Sequence, residues 1–243
     1  MVSGAVSDIG KAREKNQDAY FASNDLSLPL YMVADGMGGH NAGEIASTMA
    51  MNIIKKNFFE KRNLLTNKET IFKIIKESIE EANTKIYLKS LENEDCKGMG
   101  TTITLAYIFN NEIYIGHVGD SRAYLIRNGN ITQITEDHSF VNELVKIGSI
   151  TKEEAVNHPK KHMITRAVGS SSVIEMDLIV KSYEENDILL LCSDGLSNML
   201  KEFEISQVFD SENDIQKACE TLAQMANQKG GHDNITVVAI KFN

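Results

Sequence analysis

Four aspartates stand where apolar strand patterns end or begin. LYMVA runs into Asp35-Gly36, YIGHVG into Asp120-Ser121 and ILLLCS into Asp194-Gly195, while Asp233 stands just before NITVVAI. Charge at the end of a core strand is costly unless it is paired or bound to metal. A lone Asp-Gly is ordinarily a turn. Four such acids point further, because strand ends in one sheet tend to lie close together, and they suggest a shared cation site. Carboxylates, carbonyls and water suit Mg²⁺, Mn²⁺ or Ca²⁺. The histidines (His40, His117, His138, His158, His162, His232) show no H-x-H or H-E-x-x-H spacing, which disfavours zinc. No D-x-[DN]-x-[DN]-G loop occurs, which disfavours an EF-hand. In DGMGGH, Gly36, Gly38 and Gly39 would let the backbone approach an ion and offer a carbonyl, although an ordinary flexible loop has the same composition.

Those acids need strands and helices to carry them. LPLYMVA (28–34) reads as a buried strand ending at Asp35. Residues 43–58 place Ile45, Met49, Ile53 and Phe58 near helical spacing, and 68–90 do the same with Ile71, Ile75, Ile79, Ala82 and Ile86. The period then changes. TTITLAYIF, EIYIGHV, SRAYLI and ITQIT are short and β-branched, separated by Asn110-Asn111 and Asn128-Gly129, and read as an antiparallel meander. Thr151 and Glu154 form a capping box opening a short helix. Residues 173–181, 187–192 and 234–241 read as strands and 213–229 as a helix. Strands grouped with strands and helices with helices make the class α+β.

Composition bounds the partners. The 243 residues show no linker, no repeat and only two prolines, so one domain over 1–243 is expected. A net charge of −9 argues against nucleic acid as the ligand, since phosphate backbones attract clustered Lys and Arg. It does not exclude phosphate-bearing substrates, because bound cations could reverse the local sign. Cys96, Cys192 and Cys219 are scattered and lack a C-x-x-C, so neither a disulfide framework nor a thiolate zinc site is expected. The N-terminus is polar and no run approaches the ~18 apolar residues of a membrane span. A soluble cytoplasmic protein is expected, with no membrane partner.

Eight short motifs then fall in register: REKNQD (13–18), DGMGGHNAGE (35–44), GTT (100–102), GDSR (119–122), DHS (137–139), ITRAVG (164–169), CSDGL (192–196) and GHDNIT (231–236). Together they resemble the bacterial branch of the type-2C metal-dependent serine/threonine protein phosphatases, the PPM family. The resemblance implies a sandwich of two antiparallel β-sheets flanked by helix pairs, with metals in a cleft at one edge. It implies Mn²⁺ or Mg²⁺, two per active site, with Asp35 bridging, the Gly36 carbonyl on the second ion, and Asp194 and Asp233 on the first. Asp120 would hold a weaker third ion, Asp18 would orient water on the metals, and Arg13 would bind the substrate phosphate. The substrates would be phosphorylated proteins, opposing a bacterial Hanks-type Ser/Thr kinase, and the enzyme a monomer.

Reaction energetics agree with that division. Phosphate-monoester hydrolysis can need acceleration up to about 10²¹-fold, whereas one general acid or base supplies only ~10²–10⁴. Two metals about 3.5–4 Å apart can activate water and stabilise both the entering and leaving oxygens. Arg13 matches a phosphate bidentately, although an arginine near a terminus is more often simply solvated.

Two departures from the family pattern matter. Met37 stands where animal relatives place a histidine proposed as general acid, which leaves a water on the metals as the expected proton donor and His40 as a lesser candidate. Gln17 stands where some relatives carry a glutamate. His138, His158 and His162 fall in 137–165, in the family a mobile flap, where packing is expected over chemistry. Thr165-Arg166 reads as an anchor and Cys192 as core filler. A cysteine-based phosphatase needs Arg six residues after Cys, but those positions hold Thr102, Asn198 and Met225. A P-loop fails because Ala12 follows Gly10-Lys11 and Ala5 replaces the first glycine. A non-catalytic binding module would be expected to lose a metal carboxylate, and all four are present.

Overall fold

The computed structural model describes residues 1–39 and 42–243; His40 lies outside them. In chain order the elements are β1 (Val2–Asp8), β2 (Asp18–Ala22), β3 (Leu30–Met37), α1 (Ala42–Glu60), α2 (Lys68–Glu92), β4 (Gly100–Thr101), β5 (Ile103–Phe109), β6 (Glu112–Val118), β7 (Arg122–Arg127), β8 (Asn130–Gln133), α3 (Phe140–Lys146), α4 (Lys152–Val156), β9 (Asp177–Ser182), β10 (Ile188–Cys192), α5 (Asp194–Ser197), α6 (Glu202–Ser211), α7 (Ile215–Gln228) and β11 (Ile235–Lys241). They form two antiparallel sheets. One has the order β1-β11-β10-β7-β8, and the other β2-β3-β5-β6-β9 with β4 beside β3.

The period of two along each strand builds three apolar layers. Tyr31 and Val33 of β3 meet Leu189, Leu191, Val238 and Ile240 of the opposite sheet. Their neighbours Leu30, Met32 and Ala34 face α1 and α2. On the far side Leu190, Cys192, Val237 and Ala239 pack on α6 and α7. The α+β sandwich expected from the sequence is therefore the fold observed, with Cys192 as core filler.

Several local expectations change. The four-strand run 101–135 is two hairpins in two sheets, not one meander. Asn110 and Asn111 (φ 48° and 61°) turn β5 into β6, while Asn128 and Gly129 (φ 50° and 75°) turn β7 into β8. Between them Gly119-Asp120-Ser121 carries the chain from one sheet to the other. β3 does not stop at Asp35 but continues through Gly36 and Met37, which pair with Thr101 and Gly100 of β4. The buried stripe of α1 is Ala46, Ala50, Ile54 and Phe58, with Ile45, Met49 and Ile53 on its flank. Small residues at the centre let the helix approach β3 closely.

The polar N-terminus, given no element in the sequence, forms an edge strand paired along its length with β11, from Val2↔Lys241 to Asp8↔Ile235. A Cβ at Gly4 would meet the Gln216 backbone at 2.7 Å, so α7 crosses this strand at a glycine. Helix α6 had no reading in the sequence. The α4 capping box forms as expected, Thr151 N–H donating to Glu154 Oε2 at 2.8 Å and Glu154 N–H to Thr151 Oγ1 at 3.2 Å. Among the described residues no helix is long and apolar enough to cross a membrane.

Candidate active site

The cleft opens at one edge of the sandwich, with a volume of about 500 Å³. Asp35, Asp120, Asp194 and Asp233 line it, together with Arg13 and Gly36. They arrive from both sheets: Asp35 from β3, Asp194 from the first turn of α5 beyond β10, Asp233 just ahead of β11, and Asp120 from the crossover. Asp18 lies behind them, cross-strand from Asp35 in the β2–β3 pair. Of the seven residues expected at the site, six line the cleft and Asp18 lies directly behind them.

Polar neighbours fix the backbone under the acids. Asp35 N–H donates to Thr102 Oγ1 at 2.9 Å, and Asp35 O accepts from Thr102 N–H and the Thr101 hydroxyl at 2.8 and 2.9 Å. Ser193 Oγ donates to Asp18 Oδ2 at 2.8 Å while accepting Thr236 N–H at 2.9 Å. Asn198 Nδ2 donates to Asp194 Oδ2 at 3.0 Å. Thr102, Ser193 and Asn198 were not singled out from the sequence, although GTT and CSDGL contain the first two. Gly36 is required by a close approach: a Cβ there would lie 2.1 Å from Gly43 O in the first turn of α1.

The charge balance of the cleft is one-sided. The acids are partly open to solvent at their edges yet densely surrounded by protein, and Asp18, Asp35, Asp120 and Asp194 are all shifted upward. Burial, then the charges of Asp18, Asp194, Asp120 and Asp233, hold the Asp35 carboxyl well above the usual range. Burial raises Asp18 to about 7, against the hydrogen bonds from Thr236 and Ser193. Burial and then Asp194 raise Asp120 to about 8. Burial and Asp233 raise Asp194. Among the described residues Arg13 supplies the one ion pair at this floor, its Nη2 donating to Asp233 Oδ2 at 2.7 Å.

These residues fit divalent cations. Asp18 Oδ1 and Asp194 Oδ1 are buried and have no hydrogen-bond partner among the described residues. Buried carboxylate oxygens are ordinarily satisfied, and an all-oxygen set with surplus negative charge is the donor chemistry of Mg²⁺ and Mn²⁺. Among the described residues no three acidic, imidazole or thiol groups form a closed cage.

The remaining candidates have mixed positions. Met37 lines the cleft and carries no proton to give. Lys161 and His162 reach the rim. His158 Nδ1 accepts Lys160 N–H at 3.1 Å, a local contact. His138 is buried: Nδ1 accepts Gly119 N–H at 3.0 Å, and Nε2 faces Asp177 at 3.3 Å. Thr165 N–H donates to His138 O at 2.8 Å, so ITRAVG anchors the base of the 137–165 excursion. Arg122 grips Asp137 rather than Asp120, with Nε and Nη2 at 2.9 and 2.7 Å.

A cleft lined by oxygen donors at the edge of a double-sheet sandwich has the donor chemistry of a divalent-cation site. A family profile for Protein phosphatase 2C matches residues 10–236, and the chain belongs to that family. It is similar to the serine/threonine phosphatase Stp of Listeria monocytogenes, 41% identical over 236 residues that span 96% of this chain and 93% of the relative. It is likewise 38% identical to protein phosphatase PhpP of Streptococcus pneumoniae, over 98% and 96% of the two chains. The Streptococcus agalactiae serine/threonine phosphatase superposes with a TM-score of 0.95 at 40% identity, covering 100% and 99%. The catalytic domain of the phosphatase PstP, solved in complex with two manganese ions, superposes at 0.85 with 34% identity, covering 98% and 96%. This protein is a protein serine/threonine phosphatase.

Proposed function

We propose that residues 1–243 form one catalytic domain that hydrolyses phosphoserine and phosphothreonine in proteins with a pair of Mn²⁺ or Mg²⁺ ions. Asp35 and the Gly36 carbonyl, Asp194 and Asp233 would hold the pair, and Asp120 a weaker third ion. The two buried, unpartnered oxygens of Asp18 and Asp194 are the observation that carries this reading. The likeness to a catalytic domain solved with two manganese ions supports the count. When bound, the cations supply Lewis acidity that makes water nucleophilic and neutralises the charge of the phosphoryl group.

The side chains provide the rest. Arg13 binds two phosphate oxygens through its planar fork. Its pair with Asp233 joins groups whose side chains are 51% and 31% exposed, so it is weak enough for a phosphate to displace. Asp18 Oδ1, with Oδ2 held by Ser193, is the free acceptor for a proton of the attacking water. Met37 offers no proton, so the leaving seryl oxygen takes its proton from water in the cleft. The enzyme acts as a cytoplasmic monomer on phosphoproteins, opposing a Ser/Thr kinase and binding no nucleic acid.

The test is hydrolysis of p-nitrophenyl phosphate and a phosphothreonine peptide with Mn²⁺, Mg²⁺ or EDTA. Turnover is expected only with added cation. Undiminished hydrolysis after thorough chelation would defeat the reading.

A further inference from the structure

Asn234 is 4% exposed, and its side-chain amide bonds to one N-terminal segment at three points. Nδ2 donates to Ile9 O and to Lys15 O, both at 2.9 Å. Oδ1 accepts Gln17 N–H at 2.8 Å. One nitrogen thus draws residues 9 and 15 together and closes the loop that carries Arg13. Farther along, Gln17 O accepts Gly36 N–H at 3.1 Å and the Ser47 hydroxyl at 2.7 Å, which extends the tie to the opposite sheet.

The same residue also fixes Arg13's partner. Asn234 N–H donates to Asp233 Oδ1 at 2.9 Å, while Arg13 reaches the other oxygen of that carboxylate. Lys11 N–H adds a contact to Gly231 O at 2.8 Å. Two donors and one acceptor on a short side chain are needed here. Aspartate lacks the donors, serine has one, and glutamine is a methylene too long.

We propose that Asn234 is a positioning residue for phosphate recognition: its amide clamps the loop 9–17 so that the Arg13 guanidinium is held at the cleft. The inference rests on the phosphatase reading, with Arg13 as the phosphate-binding group. Without the clamp the loop must be ordered anew at each binding event, and that ordering weakens affinity. Catalysis by Asp35, Asp194 and Asp233 is affected less.

The experiment uses the full chain with saturating Mn²⁺, a phosphothreonine peptide as substrate and inorganic phosphate as competitive inhibitor. Arg13→Ala and Asn234→Ala are each expected to raise KM and the phosphate inhibition constant about tenfold, with kcat falling less. The double variant should be no more than about twofold worse than Arg13→Ala, since neighbours acting through one group are not additive. Hydrogen exchange of 9–17 should quicken in Asn234→Ala while β10 and β11 stay protected. If Asn234→Ala does not fold, Asn234→Ser takes its place, and failure of both makes the residue purely structural and overturns the proposal. Effects that multiply in the double variant, or a fall in kcat at unchanged KM, also overturn it. An Arg13→Ala enzyme with unchanged phosphate inhibition removes the Arg13 reading itself, and the clamp with it.

Discussion

Buried carboxylates occur in two settings in this molecule, and they are treated in opposite ways. Along the β7 side, Asp137 and Asp187 each receive a bidentate arginine. Arg122 reaches Asp137 Oδ2 at 2.7 Å and Arg127 reaches Asp187 Oδ2 at 2.7 Å. Asp187 also accepts Glu184 N–H at 2.8 Å, and Gln133 donates to Asp137 at 2.9 Å. At the cleft, Arg13 pairs with Asp233 alone, and among the described residues one buried oxygen each of Asp18 and Asp194 has no partner. The chain therefore has the means to satisfy a buried acid and withholds it at one place. Unpaired buried charge is strongly unfavourable by itself, and the difference supports the proposal that the cleft takes cations while the β7 cluster serves as scaffold.

Asp35→Asn should break the contrast most sharply. It removes the charge meant to be shared by two cations, and turnover should fall about 10²–10³-fold, the several kcal/mol a metal supplies. Circular dichroism should stay native. Retention of more than about a tenth of the rate would show that Asp35 is not the bridge.

Titration of the chelated protein separates the regions by sign. A carboxylate raised by folding stabilises below its unfolded pKa and withdraws that stability as pH climbs through its folded value. Asp18 and Asp120, raised to about 7 and about 8, should therefore make chelated protein less stable as pH rises from 5 to about 8. Mn²⁺ should flatten that slope. His117 acts oppositely. Burial, then the charge of His138, lowers it to about 4, and it is packed between Thr104 Oγ1 at 2.9 Å and Glu136 O at 3.1 Å. Its stabilisation is complete above about pH 6.5 and is lost as pH falls toward 4, a change of about 3 kcal/mol. His117→Gln should remove that acid-side loss and leave the alkaline one. Identical melting profiles for the two proteins from pH 4 to 6.5 would refute the assignment.

Asp187→Asn should do the reverse of the cleft substitution. Breaking a pair whose acid side chain is 2% exposed and whose arginine is 35% exposed should cost about 2 kcal/mol. Activity per folded molecule should not change; a loss there would place the cluster in the machinery. The smallest effect is expected from Asp120→Ala. Losing the outer ion should slow peptide turnover about tenfold while calorimetry still finds the bridged pair. Full specific activity with unchanged metal stoichiometry would instead make Asp120 a turn residue.

The acids of the cleft were legible because each interrupts an apolar run, and apolar runs are what sequence displays best. Helix α2 was legible for the same reason, its isoleucines repeating on one face. β1 was not, because an edge strand of Ser, Gly and Ala carries little of that pattern. The split of the meander was hidden too. Hairpin signals at Asn110 and Asn128 are local, whereas the change of sheet at Gly119 depends on which distant strands claim β6 and β7. The same limit hid Ser193 and Thr102, whose residue types are ordinary and which only tertiary register aims at Asp18 and Asp35. Asn198 reaches Asp194 four residues back, across a one-turn helix too short to show a periodic pattern.

The most direct test of cations replacing absent side-chain partners is the melting temperature of wild-type and Asp35→Asn protein at pH 7.5, in chelator and in Mn²⁺. In chelator the variant should melt above the wild type, because one buried like charge has been removed. Mn²⁺ should raise the wild type well past the variant, by mass action on a site only the wild type completes. A wild type that melts above the variant in chelator, and does not respond to Mn²⁺, would contradict the account.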